Sequence, residues 1–177
     1  MEYAPVIVFV YKRLEQTKRT FESLMNNELA GESELYIYSD GAQNNEEKKD
    51  VEAVRNYIHS PEIEKAFKRV SIIEQEKNCG LANSIIAGVS QIICDKKRVI
   101  VVEDDLQTSP YFLNYMNECL DFYQSNGQIW SISGYTAKLR SLEQYDETVY
   151  LNYRASTWGW GTWLDRWETV DWEEKTI

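Results

Sequence analysis

Basic residues are scarce in this 177-residue chain: nineteen lysines and arginines stand against twenty-nine aspartates and glutamates, a formal net charge of −10. That balance argues against broad nucleic-acid binding, which rests on neutralising phosphates. An anionic ligand would need a local positive site, either a metal ion or a few placed basic groups. Cysteine is also sparse. Cys79, Cys94 and Cys119 form no Cys-x-x-Cys pair and no zinc spacing, which reads as reduced thiols in a cytoplasmic protein. The single histidine, His59, falls at a predicted helix end and reads as a surface residue. No apolar run is long enough to cross a membrane, and Val6 to Tyr11 is too short for a signal peptide and runs into Lys12 and Arg13. With three prolines there is no proline-rich linker, and no repeat or low-complexity tract appears, so one domain is expected over residues 1–177. The absence of Gly-x-Ser-x-Gly, P-loop and His-Glu-x-x-His patterns leaves serine hydrolase, P-loop and zincin chemistry without support.

What is present is an alternation of strand-like and helix-like runs. Val6–Val10 reads as a buried strand, followed by a helix from about Thr17 with Phe21, Leu24 and Met25 on one face. Leu35–Tyr38 reads as a second strand ending in Ser39-Asp40-Gly41. A helix opened by Glu46–Asp50 then carries Val51, Val54 and Ile58 at helical spacing, and Ser60-Pro61 reads as its stop. Val70–Ile73 is a third strand. Asn78-Cys79-Gly80 is a turn, and Leu81–Ile93 a helix burying Leu81, Ile85, Val89 and Ile92. Val99–Val102 is a fourth strand. Ser109-Pro110 predicts an N-cap and first turn for a helix burying Phe112, Tyr115, Met116, Cys119 and Tyr123, and Ile129–Ser133 is a fifth strand. This order implies an α/β fold with a mostly parallel, doubly wound sheet flanked by helices.

The fourth strand breaks off into three consecutive carboxylates, Glu103, Asp104 and Asp105. In open α/β sheets the rim at the strands' carboxyl ends is where ligands bind. Adjacent carboxylates repel, and a divalent cation is the usual way to hold them together at neutral pH. Strand alternation predicts Glu103 and Asp105 on one side and Asp104 on the other. Asp105, with the following loop to give it reach, is the candidate ligand for Mn²⁺ or Mg²⁺; Asp104 is the candidate contact to a sugar or ribose, with Glu103 in support. Asp40 and Gly41 end the second strand on the same rim, where they are either a simple turn or a contact to a base or hydroxyl. Lys12 and Arg13 end the first strand, where an anion contact is plausible. Asn78–Asn83 runs through a turn into a helix start, which suits anions and hydroxyls as well as simple capping.

The last third changes character, with five of six tryptophans in 158–172. Trp158-Gly159-Trp160-Gly161 lacks the third glycine of a dinucleotide fingerprint and comes too late in the chain, so that reading is rejected. Such a cluster is more often core, although tryptophan faces also stack on sugar rings and flanking glycines let a loop approach a ligand. The segment 171–177 brings no clear terminating element, and the expectation is a fragment of a longer domain.

Together these pieces resemble a nucleotide-sugar glycosyltransferase of the GT-A (Rossmann-like) fold, of the family 2 type. Pro5–Arg13 looks like that family's first βα unit, Ser39-Asp40-Gly41 matches its second strand end, and Asn78–Asn83 is similar to its Asn-x-Gly-Leu-Ala segment. Val101–Leu106 looks like the DXD element in the EDD form found in the N-acetylglucosaminyltransferase I group. Tyr153 to Trp163 resembles the acceptor-side segment of bacterial sugar transferases. The resemblance implies a nucleotide-sugar-binding part over about 1–108 and an acceptor-side part over about 109–177, incomplete at its C-terminal end.

It further implies metal-dependent, inverting transfer of a hexosyl or N-acetylhexosaminyl unit from a nucleoside-diphosphate sugar, a UDP-sugar first of all, to a glycan or lipid-linked acceptor. Arg13, Asp40, Gly41, Asn83, Glu103 and Asp104 would bind the donor, and Asp105 the Mn²⁺ or Mg²⁺. Gly134, Tyr135, Trp158 and Gly159 would lie on the acceptor side. The catalytic base would be sought at Asp165 or Asp171, the only late aspartates, or beyond Ile177. The setting would be surface polysaccharide synthesis, cytoplasmic or peripheral at the inner membrane face. Two rivals stand beside this reading: a nucleotidyltransferase or phosphotransferase using the same acids, which should show a lysine-rich phosphate grip absent near 99–110, and a non-catalytic sugar-binding module built on the tryptophans.

Overall fold

The computed structural model describes residues 2–138 and 145–172. The tail from 173 onward, with the expectation attached to it, lies outside the described residues. Strands β1 (Val6–Val10), β2 (Glu34–Ser39), β3 (Arg69–Glu74) and β4 (Arg98–Glu103) form the parallel body of a sheet. Two short strands, β5 (Ile132–Ser133) and β6 (Trp160–Trp163), complete it in the order β3-β2-β1-β4-β6-β5. The helices between them are α1 (Leu14–Met25), α2 (Lys48–Ile58), α3 (Pro61–Ala66), α4 (Leu81–Lys96), α5 (Phe112–Tyr123) and α6 (Leu164–Trp167). The expected α/β, mostly parallel sheet flanked by helices is therefore present.

Both faces of the sheet are covered, as a continuous apolar strand requires. Alternate residues Val6, Val8, Val10, Leu35, Ile37, Ile100 and Val102 pack with α1, α2, α3 and α5 through Phe21, Leu24, Val54, Ile63 and Leu113. The opposite set, Ile7, Phe9, Tyr38, Val99 and Val101, packs with α4 and α6 through Val89, Ile93 and Trp167.

The structure departs from the sequence expectations in several places. Helix α1 starts at Leu14, not Thr17, and Ser60-Pro61 starts the extra helix α3 with proline in its first turn, where its missing N–H costs nothing. Helix α5 begins at Phe112 behind Tyr111, and Ser109 supplies a carbonyl to the Phe112 amide with no side-chain cap. Leu81, expected in the core, is 54% exposed because it opens α4 at the rim. Of the expected fifth strand only Ile132 and Ser133 are paired, and their partner is β6, which the sequence did not announce. The inserted β6 runs antiparallel to β4, with Trp160 opposite Val101 and Trp163 opposite Arg98.

Candidate active site

Parallel pairing carries the ends of β1, β2 and β4 to one rim. Phe9 stands beside Glu103 and Val10 beside Ser39, so Tyr11–Arg13, Asp40–Gly41 and Asp104–Asp105 leave the sheet side by side. Arg13 precedes α1, where its carbonyl accepts from the Thr17 amide at 2.9 Å and the Thr17 hydroxyl at 2.8 Å. Its side chain crosses to β4, donating to Asp104 Oδ1 and, through Nη1, to Asp105 Oδ2 at 3.0 Å. The expected alternation fails here. The strand ends at Glu103, and the turn that follows, with the Leu106 amide donating to the Glu103 carbonyl, brings Asp104 and Asp105 to the same guanidinium.

The three acids are unequally placed. Asp104 is buried, and its Oδ2 has no hydrogen-bond partner, while Asp105 is open to solvent. Burial pushes the Asp104 carboxyl above its ordinary range even though Arg13 pulls the other way. Glu103 is pushed up too, by burial and then by the charges of Asp105 and Asp104.

At the end of β2, the Asp40 carboxylate is also buried and holds the loop leading into α4. Oδ1 accepts from the Gly41 and Cys79 amides, each at 2.9 Å, and Oδ2 from the Gly80 amide at 3.0 Å. The Asn78 side chain returns a bond to the Gly41 carbonyl, and Gly41 lies so close to Lys77 that a Cβ would fall 2.5 Å from its carbonyl carbon. Of roughly four acceptor positions on a carboxylate, three are thus taken by main chain. Asn83, in the first turn of α4, is exposed and donates to the Cys79 carbonyl.

Two residues that the sequence reading passed over brace this rim. Arg55, on α2, donates to the Gln75 carbonyl at 2.7 Å, Ser39 Oγ at 3.2 Å and the Asp40 carbonyl at 3.4 Å, joining the ends of β2 and β3. Glu47 accepts from Tyr11, Lys12 and the Gln43 amide, pinning the loop after β2 to the end of β1. The only advance signal was helical spacing, which sets Arg55 one residue after Val54.

The acceptor-side candidates do come together. The Gly134 amide donates to the Gly159 carbonyl at 2.6 Å over the Phe112 ring. Their neighbours Tyr135 and Trp158 meet edge to face at 4.5 Å between centroids, both exposed. The β4–β6 register pairs Val101 with Trp160, two residues after Trp158 in the chain. The tryptophans divide: Trp163 and Trp167 are core, whereas Trp158 and Trp172 are exposed.

Residues 6–167 match the family model described as Glycosyl transferase family 2. The chain belongs to that family. No curated protein matches its sequence significantly. Among solved structures, the mannosyltransferase PcManGT from Pyrobaculum calidifontis, in complex with GDP-Man and Mn²⁺, superposes with a TM-score of 0.51 at 14% identity, covering 74% of this chain and 35% of that one. TarS of S. aureus superposes at a TM-score of 0.48 and 18% identity over 70% of this chain and 20% of that one. The likeness to PcManGT shows a shared fold, and this family 2 chain spans about a third of that protein's length.

Among the described residues, no group of three or more His, Cys, Asp and Glu side chains is gathered as a metal cage. A hard cation that takes one or two carboxylates and completes its shell with phosphate oxygens needs no such cage. Asp105, open to solvent, and the unpartnered Asp104 Oδ2 fit that requirement.

The late aspartates do not fit the role of base. β6 runs away from the acid rim, so Asp165 follows it at the opposite edge, where the Leu164 amide meets the Lys97 carbonyl before β4 begins, and Arg166 holds its carboxylate at 2.7 Å. Asp171 adjoins Trp172, whose ring lies tilted against Trp167 and lines a hollow with Ser90 and Cys94 beside the second half of α4. The antiparallel turn of the chain is the physical reason that neither reaches Asp105.

Proposed function

We propose that this family 2 domain transfers a sugar from a nucleoside-diphosphate sugar to a hydroxyl acceptor, with Mn²⁺ or Mg²⁺ held at Asp105. The observation that carries the reading is the convergence of Arg13, Asp104 and Asp105 on the carboxyl-end rim of a family 2 fold. Asp105 and the free oxygen of Asp104 would hold the cation, which supplies charge stabilisation to the leaving diphosphate. Arg13 would pair with diphosphate oxygens. Asp40 and Gly41 would shape the wall for the base, since Asp40 fixes the loop Cys79–Gly80 and keeps one acceptor position open. Asn83 would line the donor side, and Glu103 would support the two aspartates.

The acceptor would lie over Gly134, Tyr135, Trp158 and Gly159, with the two rings offering apolar faces to a glycan or to the sugar of a lipid-linked acceptor. The EDD reading of Glu103–Asp105, an inverting course, hexosyl or N-acetylhexosaminyl transfer and a uridine nucleotide belong to this proposal, as does a place in surface polysaccharide synthesis. No helix among the described residues is long and apolar enough to cross a membrane; a cytoplasmic enzyme, peripheral at the inner face, is the setting proposed.

A second reading has its own observation. The exposed Tyr135–Trp158 pair would serve a non-catalytic sugar-binding module equally well. A thermal-shift panel of UDP- and GDP-sugars with and without Mn²⁺ separates the two. Metal-dependent stabilisation by a nucleotide sugar is expected; stabilisation by free glycan alone, indifferent to metal, would favour the module.

A further inference from the structure

The Arg13 guanidinium occupies Asp105 Oδ2, which a cation would use, and Asp104 Oδ1, beside the oxygen left free for that cation. It donates to Asp104 Oδ1 and Asp105 Oδ2, and its charge acts on both Glu103 and Asp104. Lys12, its neighbour, is turned aside to Glu47. The Arg13 backbone is pinned by Thr17, while its side chain reaches out with 46% of its surface exposed. Three formal negative charges at 103–105 are therefore met by one positive charge on a long arm.

We propose that Arg13 is a built-in competitor of the divalent cation that makes metal and diphosphate bind as a pair. This rests on the reading of Asp105 as metal ligand and goes beyond it. A cation arriving alone must share its oxygens with a like charge at contact distance, which weakens its binding. A diphosphate offers the guanidinium a better partner, since the planar fork matches phosphate oxygens two at a time. As Arg13 shifts to the diphosphate, Asp105 Oδ2 is released to the cation. Each ligand then lowers the cost of the other, and the reciprocity is thermodynamically required.

One substitution should move the two ligands in opposite directions. Arg13→Gln removes the competing charge and the phosphate partner together. It is expected to tighten Mn²⁺ alone by about tenfold, read from the loss of the free-ion electron paramagnetic resonance signal, and to weaken inorganic pyrophosphate without metal by about tenfold, read by calorimetry. A merely structural role for Arg13 would weaken both. Arg13→Lys keeps the charge without the fork and should bind Mn²⁺ within about twofold of the native chain.

Unchanged or weaker Mn²⁺ binding by Arg13→Gln, with Asp105→Asn abolishing it in both backgrounds, would overturn the competition and leave Asp105 as ligand. Failure of Mn²⁺ to bind either the native chain or Arg13→Gln at millimolar concentration would remove the metal reading and this inference together.

Discussion

Strands β1 to β4 pair residue for residue in parallel, with β1 and β4 sealed on both faces by helices, whereas β5 and β6 add a short antiparallel edge whose aromatic side chains are partly left in solvent. The first region presents charge on a stiff frame: Arg13, Asp40, Asp104 and Asp105 each leave the end of a buried strand or the turn just beyond it. The second presents ring faces on loops, seated by two glycines over Phe112. A donor with a diphosphate suits the first region, and an acceptor chosen by shape suits the second. The two regions join where β6 pairs with β4, Trp160 opposite Val101.

The glycines of the two regions give the largest expected difference. Gly41→Ala would push a methyl into the Lys77 main chain, which Asp40 and Asn78 hold in place, and should cost about 3 kcal/mol in urea unfolding. At Gly134 the nearest obstacle, 2.4 Å from the ideal Cβ, is the buried Phe112 ring, a side chain rather than main chain, so Gly134→Ala should cost less, about 2 kcal/mol. A larger loss at Gly134 than at Gly41 would reverse the ranking of a rigid charged rim over an adaptable aromatic one.

Next comes the division of labour between the rims. Trp158→Ala should raise the KM for a glycan acceptor about tenfold, leaving the donor KM and the melting temperature near their native values, because the ring is half exposed and rests on Tyr135. A matching rise in the donor KM would show that the two sites are not separate.

The smallest effects contrast two glutamates. Glu34, at the far end of β2, is held below the ordinary carboxylate range by Lys96 and Tyr36. Its stabilisation is present above the unfolded pKa and is lost as pH falls through the folded one. Glu103 is shifted upward, so its burden grows as pH rises through the folded value. Glu34→Gln should therefore lower stability at pH 7 and Glu103→Gln raise it, each by less than about 1 kcal/mol, with both differences vanishing in strong acid. Equal signs in denaturant titrations at pH 7 would contradict the view that the acid rim is strained and the far rim relaxed.

Legibility in the sequence follows the same divide. Runs such as Val6–Val10 and Arg98–Glu103 are buried on both faces, so their composition alone marks them as strands, and the polar residues that end them fall on one rim by topology. Arg13, Asp40, Asp104 and Asp105 were found that way. Strand β6 was not, because Trp160–Trp163 becomes a strand only by pairing with β4, some sixty residues earlier in the chain. The same non-local pairing sent Asp165 to the wrong end of the sheet for a base. Glu47 and Arg55 escaped notice because a polar residue in or next to a helix looks the same whether it faces water or a strand end. Leu81 misled because helical spacing locates a face but not where along the helix the core stops.

The central claim is that Asp105 joins donor and cation at the carboxyl-end rim. Calorimetry of the nucleotide sugar that gives the strongest thermal shift, titrated into the native chain and Asp105→Ala with and without Mn²⁺, tests it most directly. The account predicts that the native chain binds at least about tenfold more tightly with Mn²⁺ and that Asp105→Ala loses this gain while melting within a few degrees of native. Equal Mn²⁺ enhancement in both proteins would contradict it.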